Sequence, residues 1–324
     1  MADDLRTVTV PAEADGARLD VVLAAALEDV SRARLKRLIE KGRVTVDDQP
    51  VTHASRRVAA GARVVVAVEP PEPSRVAAED IPLDVLYEDG HIVVVNKPAG
   101  LVVHPGAGNR SGTLVNALMA HTALDFPDDD SERAGLVHRL DKDTSGVLLV
   151  TKHPAALERY QRLFAERKAD KTYLALVKGH PKADHGRIET LYGRHPFNRL
   201  KFTGKVARGK TAITEWKVAG RSRLATAMEV RILTGRTHQI RVHLAEMGFP
   251  VVGDLLYGQP LQRPSEVAAQ VEYRALFDLK RQALHAWRLA FPDPYTGQRR
   301  TFEAPLPPDL AAAFALAGCR FERR

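Results

Sequence analysis

Residues 135–150 read GLVHRLDKDTSGVLLV, a polar turn that leads into an apolar run. The run Val147–Val150 has the length and composition of a buried strand, and the residues before it are typical of a turn at the mouth of that strand. Asp141 lies between Arg139 and Lys142, which favour the charged carboxylate that a nucleophile requires. A turn whose side chains satisfy backbone donors would have the same residues, so the residues alone leave the catalytic and the structural interpretation open.

Helical and extended patterns alternate irregularly around this turn. This order predicts an α+β fold whose mixed, mostly antiparallel sheet is flanked by helices and loops, rather than a doubly wound parallel sheet. Pro154 marks the start of one predicted helix, because proline is favoured in the first turn of a helix. The predicted helices are Leu114–His121 and a segment from Pro154 to about Lys168, and the predicted strands are His91–Asn96, Val147–Thr151, Thr172–Val177, Ala212–Val218, Ala225–Ile232 and Leu284–Phe291.

A small separate module is predicted before residue 75. Two helical segments precede short strands there, and Ser31 is suited to cap the second helix. The proline-rich segment Glu69–Ser74 favours an extended connection, so the predicted domains are residues 1–75 and 76–324. The module's predicted elements are helices Leu19–Leu27 and Ser31–Lys41 and strands Val44–Val46 and Arg63–Val66.

The composition narrows the class of protein. A hydrophobic fraction of 44% and a charged fraction of 27% indicate a globular chain, while a net charge of +8 favours a polyanionic partner. The single cysteine, Cys319, excludes a disulfide framework and a multi-thiolate metal site. The N-terminus has no signal-peptide pattern and no apolar stretch reaches the length of a membrane span, so we expect a cytoplasmic protein that does not contact membranes.

Two segments concentrate basic residues. The stretch from residue 31 to 43 has six basic residues and one acid, Glu40, which either a solvated helix face or an RNA-docking surface would show. The segment Arg194–Lys210 has six basic residues and no acid, and its glycines predict a loop or irregular hairpin that contacts phosphates. The basic residues of the first stretch are Arg32, Arg34, Lys36, Arg37, Lys41 and Arg43.

The sequence argues against a nucleotide cofactor and against a metal site. The glycine-rich segment Gly106–Gly112 has three residues between its last two glycines, whereas a dinucleotide-binding turn has two. His238 and His243 are five residues apart, which is not the one-turn spacing of a helical zinc site. The acidic segment Phe126–Glu132 lacks the glycine and glutamate of a calcium loop and is interpreted as a solvated loop.

Five motifs follow one another along the chain: NKPAGLVVHP at residues 96–105, HRLDKDTSG at 138–146, KTY at 171–173, GRTHQIR at 235–241 and GDLLYG at 253–258. In composition and order they resemble the motifs of the RluA/RluD-type pseudouridine synthases of bacterial large-subunit ribosomal RNA. The N-terminal module is similar to the αL RNA-binding module of a small-subunit ribosomal protein and several RNA-modifying enzymes. That similarity rests on residues 18–20, 31–32, 41–46 and 64–66.

The resemblance implies a reaction and a set of roles. Asp141 would be the essential carboxylate, either attacking the anomeric carbon of the sugar or removing the neighbouring sugar proton. Arg236 would be its basic partner, and Tyr173 would stack on the target base. Arg139 would fill the space left by the flipped-out uridine, and His138 would belong to the same substrate-binding turn as a packing residue.

The resemblance also implies a target, and alternatives to it stay open. The expected partner is large-subunit rRNA or an assembling ribosomal particle, bound by a monomer without a cofactor. The same chemistry on tRNA is one alternative, and a non-catalytic RNA-binding protein of ribosome assembly is another. A nucleoside or glycoside hydrolase would use Asp141 and Asp143 as a carboxylate pair, but two residues apart on a tight turn is poor geometry for that chemistry.

Overall fold

The computed structural model describes residues 4–27, 30, 32–68, 76–106, 109–122, 124, 126, 135–258 and 274–319. These residues form two compact units, which divide between residues 68 and 76. The predicted linker Glu69–Ser74, the capping Ser31, residues 107–108 of the glycine-rich segment and residues 127–132 of the acidic loop lie outside the described residues. The exact domain boundary therefore stays a prediction.

The N-terminal unit is a four-stranded antiparallel sheet with two helices, in the strand order β1-β4-β2-β3. The apolar residues of the helices, among them Leu23, Leu35 and Ile39, are buried together with Val64 and Val66 of the sheet. The predicted helices and strands of the module are confirmed, while β1 and β3 were not predicted. The elements are β1 (Asp4–Thr9), α1 (Leu19–Ala26), α2 (Arg32–Glu40), β2 (Val44–Val46), β3 (Gln49–Pro50) and β4 (Arg63–Val68).

The second unit is built on a sheet of ten strands among its described residues, in the order β10-β9-β11-β12-β8-β13-β7-β6-β5, with β14 paired to β13. Its first elements are β5 (Val85–Glu88), β6 (Ile92–Lys97), α3 (Leu114–His121), β7 (Ser145–Thr151), α4 (Pro154–Ala165), β8 (Asp170–Lys178) and β9 (His185–Arg194). The remaining elements are β10 (Phe202–Thr203), β11 (Lys210–Arg221), β12 (Ala225–Ile232), α5 (Gln239–Glu246), α6 (Arg274–Phe277), β13 (Leu284–Pro292), β14 (Arg299–Glu303) and α7 (Pro308–Ala315).

The pairing of these strands confirms the predicted α+β fold with a mixed, mostly antiparallel sheet. The β13–β7 pair is parallel, and the other pairs of the sheet are antiparallel. The basic segment after Arg194 connects β9 to β11, which pair with each other, so the predicted irregular hairpin is present. None of the helices formed by the described residues is both long enough and apolar enough to cross a bilayer.

The middle of strand β7, Val147–Val150, is apolar because both faces of the strand are covered. Leu148 and Val150 belong to the core cluster that contains residues of α3, and Val147 and Leu149 belong to the cluster that contains residues of α4. Every residue of the strand is buried. A strand with two covered faces has no reason to alternate polar and apolar residues, which explains the run seen in the sequence.

Gly146 sets the distance between β7 and its parallel neighbour β13. Its φ is +116°, and a Cβ atom at this position would overlap the carbonyl oxygen of Ala286. Any other residue would therefore clash with the backbone of β13 and strain its own. This close approach holds the start of β7, and with it the polar turn that ends there, against the centre of the sheet.

Candidate active site

The polar turn before β7 opens on a cleft of about 580 Å³ in the second unit. The walls also include residues of α4, of β8 and of the segment that leads into α5. Several of the residues predicted for the site line this one cleft, namely His138, Arg139, Asp141, Tyr173 and Arg236. Among the described residues that line it, Asp141 is the one carboxylate.

A buried lysine anchors the backbone of the polar turn. The side chain of Lys97 is fully buried at the end of β6, and its Nζ donates to three backbone carbonyls, one of them that of Lys142 at 2.9 Å. Burial lowers the pKa of Lys97 to about 8. From the other side, Arg281 Nη1 donates to the carbonyl oxygen of Asp143 at 3.1 Å. These two contacts fix the backbone that follows Asp141, and the turn presents the Asp141 side chain to the cleft.

A guanidinium group holds the carboxylate of Asp141. Arg241, on α5, donates from Nη1 to Asp141 Oδ2 at 2.9 Å. The same guanidinium donates from Nε and Nη2 to the two oxygens of Asp254, at 2.7 and 3.0 Å. Burial lowers the pKa of Arg241, but its bonds to Asp254 and Asp141 outweigh burial and the net pKa is raised. The arginine is thus fixed by one carboxylate and directed at the other.

The structure corrects the predicted partner of Asp141. The prediction that Arg236 pairs with this carboxylate is wrong, because Arg236 Nε donates instead to the carbonyl oxygen of Thr211 at 3.2 Å. The backbone N–H of Arg236 donates to Gln239 Oε1, which turns the chain into α5 and brings Arg241 to the carboxylate from the first turn of that helix. Arg236 remains on the wall of the cleft.

A histidine in a strained conformation lies beside the same carboxylate. His238 precedes α5 with a φ of +59°, in the left-handed region that residues other than glycine rarely adopt. Its Nε2 is 4.0 Å from Asp141 Oδ1, and its Nδ1 is 2.9 Å from the hydroxyl of Tyr257. Burial lowers the pKa of His238, and the Asp141 carboxylate acts in the opposite direction. The GRTHQIR motif contains this residue, but the sequence assigned it no role.

Strand β8 contributes two side chains to the cleft. Tyr173 is 7% exposed, and its pKa is raised by burial and then by the carboxylate of Asp141. Lys171 lies two residues earlier, so the two side chains project from the same face of the strand. Burial lowers the pKa of Lys171 to about 8, and the charge of Arg236 adds to the effect. The sequence predicted Tyr173 as a site residue but not Lys171.

The two other polar residues at the start of the HRLD motif differ in environment. His138 packs against Phe164 with ring centroids 5.1 Å apart, and its Nε2 accepts from the backbone N–H of Leu149 at 3.1 Å. Burial lowers the pKa of His138 to about 3, so the ring is neutral at physiological pH and supports β7. Arg139 is exposed at the edge of the cleft.

In the N-terminal unit, the basic residues predicted to dock RNA lie on α2 and the turn after it. Lys36, Arg37, Lys41 and Arg43 are exposed and Arg34 is half-buried, while the side chain of Arg32 lies outside the described residues. Lys36 Nζ is 3.6 Å from Glu40 Oε1. The opposite side of α2 is apolar and packs into the core of the unit. The helix therefore has one buried face and one face dominated by positive charge.

A metal centre has no ligand set in the part of the chain that the structure describes. Histidine, cysteine, aspartate and glutamate side chains form no group of three there that could hold an ion. The two carboxylates around the site, those of Asp141 and Asp254, are both bound to Arg241 instead.

Family models match both units. Residues 91–246 match the family described as RNA pseudouridylate synthase, and residues 17–64 match the S4 domain. The first match contains the turn with Asp141, the strand with Tyr173 and the helix with Arg241. The second contains α2 and its basic residues.

Relatives with similar sequences extend over most of the chain. A protein named ribosomal large subunit pseudouridine synthase D from Neisseria meningitidis serogroup B is 44% identical over 305 residues, which cover 94% of this chain and 79% of that protein. A protein of the same name from Pseudomonas aeruginosa is 43% identical over 309 residues, which cover 94% of this chain and 93% of that protein. Among solved structures, human RNA pseudouridylate synthase domain containing 1 is similar with a TM-score of 0.55 and 28% identity, over 72% of this chain and 89% of that one.

Proposed function

The chain belongs to the RNA pseudouridine synthase family, and on that basis we propose that it converts specific uridines of large-subunit ribosomal RNA to pseudouridine, with Asp141 as the attacking carboxylate. The named relatives act on this RNA according to their names, and they are similar over 94% of the chain. The proposal includes a monomer that works in the cytoplasm, where this RNA is available.

The arrangement of Asp141, Arg241 and Asp254 is the observation that carries the proposal. The reaction breaks the bond between uracil N1 and the sugar C1′ and forms a bond between C5 and C1′. The C5 proton is lost and N1 gains a proton, so the overall change is an isomerisation. A carboxylate held through one oxygen by a guanidinium group can use its other oxygen to attack C1′, or to take the C2′ proton and give a glycal.

Arg241 has a defined part in either route. Its Nη1 stabilises the charge on Asp141 before the reaction, and Asp254 prevents the guanidinium from swinging away. A side chain held by a second carboxylate does not need to reorganise when the charge on Asp141 changes.

Tyr173 and Arg139 serve the substrate in this proposal. Stacked RNA hides the glycosidic bond, so the uridine must leave the helix at a cost of a few kcal/mol. Tyr173, in the wall near Asp141, offers a flat aromatic surface on which the extruded uracil can stack. Arg139, exposed at the edge of the cleft, has the length and charge to occupy the space that the base leaves.

The S4 domain serves as a docking surface in the proposal. Its exposed basic residues on α2 suit the closely spaced phosphates of structured RNA, which such a surface recognises by shape and backbone rather than by sequence. Docking of this kind adds affinity without taking part in the reaction.

The test is to map pseudouridines in large-subunit rRNA after incubation with the purified protein and with its Asp141→Asn variant. We expect specific sites to be converted by the native protein, and a rate at least about 10⁴-fold lower for the variant, as for other lost nucleophiles. Binding of the RNA should be retained by the variant.

Each component of the proposal fails on a different result. Product in tRNA but not in rRNA would replace the substrate and keep the chemistry. Appreciable turnover by Asp141→Asn would remove Asp141 from its role. Release of free uracil in place of pseudouridine would indicate hydrolysis.

A further inference from the structure

Positive charge outweighs negative charge on the wall of the cleft. Among the described lining residues, Asp141 is the one acid, and it is already paired with Arg241. Further cationic side chains line the same cleft, namely Arg139, Arg167, Lys171 and Arg236. The low dielectric of a cleft concentrates such a field, so the site is suited to an anionic group of the substrate.

Lys171 and Arg236 are neighbours within this wall. Lys171 Nζ lies 3.8 Å from the point that a Cβ atom on Gly235 would occupy. Gly235 directly precedes Arg236 in the chain. The same Nζ lies 5.6 Å from the centroid of the Phe164 ring. Neither cation forms an ion pair with a carboxylate of the described residues, and the charge of Arg236 contributes to the lowered pKa of Lys171. Two adjacent cations without a counter-ion are unfavourable until an anion joins them.

The position of this pair relative to Tyr173 indicates which anion it fits. Lys171 and Tyr173 are two residues apart on one face of β8, which corresponds to about 7 Å along the strand. A nucleotide whose base lies against Tyr173 would therefore have its backbone within reach of Lys171. The base and the ribose of uridine are neutral, whereas the phosphate is anionic and is bound well by a guanidinium and an ammonium group.

We propose that Lys171 and Arg236 bind a backbone phosphate that flanks the target uridine. The assignment rests on the proposed function, because it takes Tyr173 as the residue against which the target base lies. A phosphate held at this point adds binding energy for the nucleotide whose sugar faces Asp141. The pair is therefore an anion site within the catalytic cleft, separate from the docking surface on α2.

The experiment combines a change in the protein with a change in the RNA. An RNA fragment with a mapped target uridine is prepared unmodified, with a neutral methylphosphonate at its 5′ linkage, or with one at its 3′ linkage. We expect Lys171→Met to lower kcat/KM on the unmodified RNA by about 10-fold or more, the effect of one lost charge-assisted contact. A methylphosphonate at one of the two linkages should lower kcat/KM of the native protein by a similar factor. Lys171→Met acting on that modified RNA should lose no more than either change alone, because both changes remove the same contact.

Matched variants separate a charge effect from a structural one. Lys171→Arg keeps the charge and should recover most of the activity. Lys217→Met removes an exposed lysine of β11 that pairs with Glu229 at 3.0 Å, and its small effect should add to that of either methylphosphonate. The proposed phosphate site would be overturned if the loss of kcat/KM caused by Lys171→Met added fully to the loss caused by the methylphosphonate at each of the two linkages.

The same series distinguishes failure of this site from failure of the proposed function. Pseudouridine formation by the native protein on the unmodified fragment tests the function. The dissociation constants of the three RNAs for the native protein and for Lys171→Met test the anion site, with or without turnover. Binding losses that add fully at both linkages would reject the site even if the enzyme is active.

Discussion

Helix α2 and the catalytic cleft both concentrate positive charge, but they hold it in opposite environments. The side chain of Lys36 on α2 is 58% exposed, whereas that of Arg241 in the cleft is 9% exposed and bonded to two carboxylates. Exposed charges are screened by salt and contribute little singly, while a buried charge depends on the geometry of its partners. The two regions should therefore respond differently to the loss of a charge: α2 through affinity for RNA, and the cleft through the rate of reaction.

The largest effect in this comparison is expected from Arg241→Met. Loss of one pre-organised donor to the reacting group typically costs about 10²- to 10³-fold in kcat, and we expect a fall of that size. Arg236→Met is the matched control from the same motif, and it should act mainly on KM because its guanidinium does not touch Asp141. The measurement is tritium release from RNA labelled at uracil C5, with circular dichroism to confirm folding. Equal losses of kcat in both variants would contradict the assignment of Arg241.

Asp254→Asn tests whether the second carboxylate positions Arg241. We expect kcat to fall by about 10- to 10²-fold while KM changes little, because both bonds from the guanidinium lose the carboxylate charge and the amide nitrogen of asparagine cannot accept one of them. Glu158→Gln is the control, since it breaks an exposed pair with Arg162 on α4 and should change neither constant. An unchanged kcat for Asp254→Asn would show that Arg241 needs no second anchor.

The same variant has a pH dependence with a defined sign. Burial raises the pKa of Asp254, but the bonds from Arg241 outweigh burial and the net pKa is lowered from 3.8. The charged form therefore stabilises the fold above the unfolded pKa, and this contribution is lost as the pH falls through the lower folded value. Urea unfolding should be measured at a series of acidic pH values that spans the unfolded and the folded pKa of Asp254. The free energy of unfolding should fall more steeply with decreasing pH for the native protein than for Asp254→Asn.

The choice between Arg236 and Arg241 shows where prediction from the sequence stops. Helix α3 has the predicted bounds, because Thr113 and Asn116 form a capping box and the apolar spacing continues to its end. Such local signals do not tell which of two arginines in one motif reaches a carboxylate 100 residues away from Arg241 in the chain. That depends on the left-handed turn at His238 and on the carboxylate that anchors Arg241, both of which are set by tertiary packing. One usable signal was present: Arg241 lies between apolar residues of α5, and a buried arginine requires a partner.

Two variants of Tyr173 distinguish stacking by its ring from a role of its hydroxyl group. Stacking of a base on an aromatic ring is worth about 1 to 3 kcal/mol, so Tyr173→Leu should lose about 10- to 10²-fold in kcat/KM. Tyr173→Phe keeps the ring and should stay within about threefold of the native protein if stacking dominates. The measurement is the single-turnover rate as a function of RNA concentration. Equal losses in the two variants would assign the effect to the hydroxyl group.

The smallest effects are expected on α2, where they should appear in the salt dependence of binding. Each phosphate contact contributes about 0.9 to the log–log slope of affinity against salt on a duplex, so Lys36→Ala and Arg37→Ala should each reduce the slope by up to about one and leave kcat unchanged. Arg162→Ala, an exposed residue of α4 paired with Glu158, is the control and should leave the slope as it is. Because the α2 side chains are exposed, their losses should add, whereas those of the bonded pair Arg241 and Asp254 should not. A change in kcat with any α2 variant, or an unchanged slope when both α2 residues are replaced, would remove the distinction between the two regions.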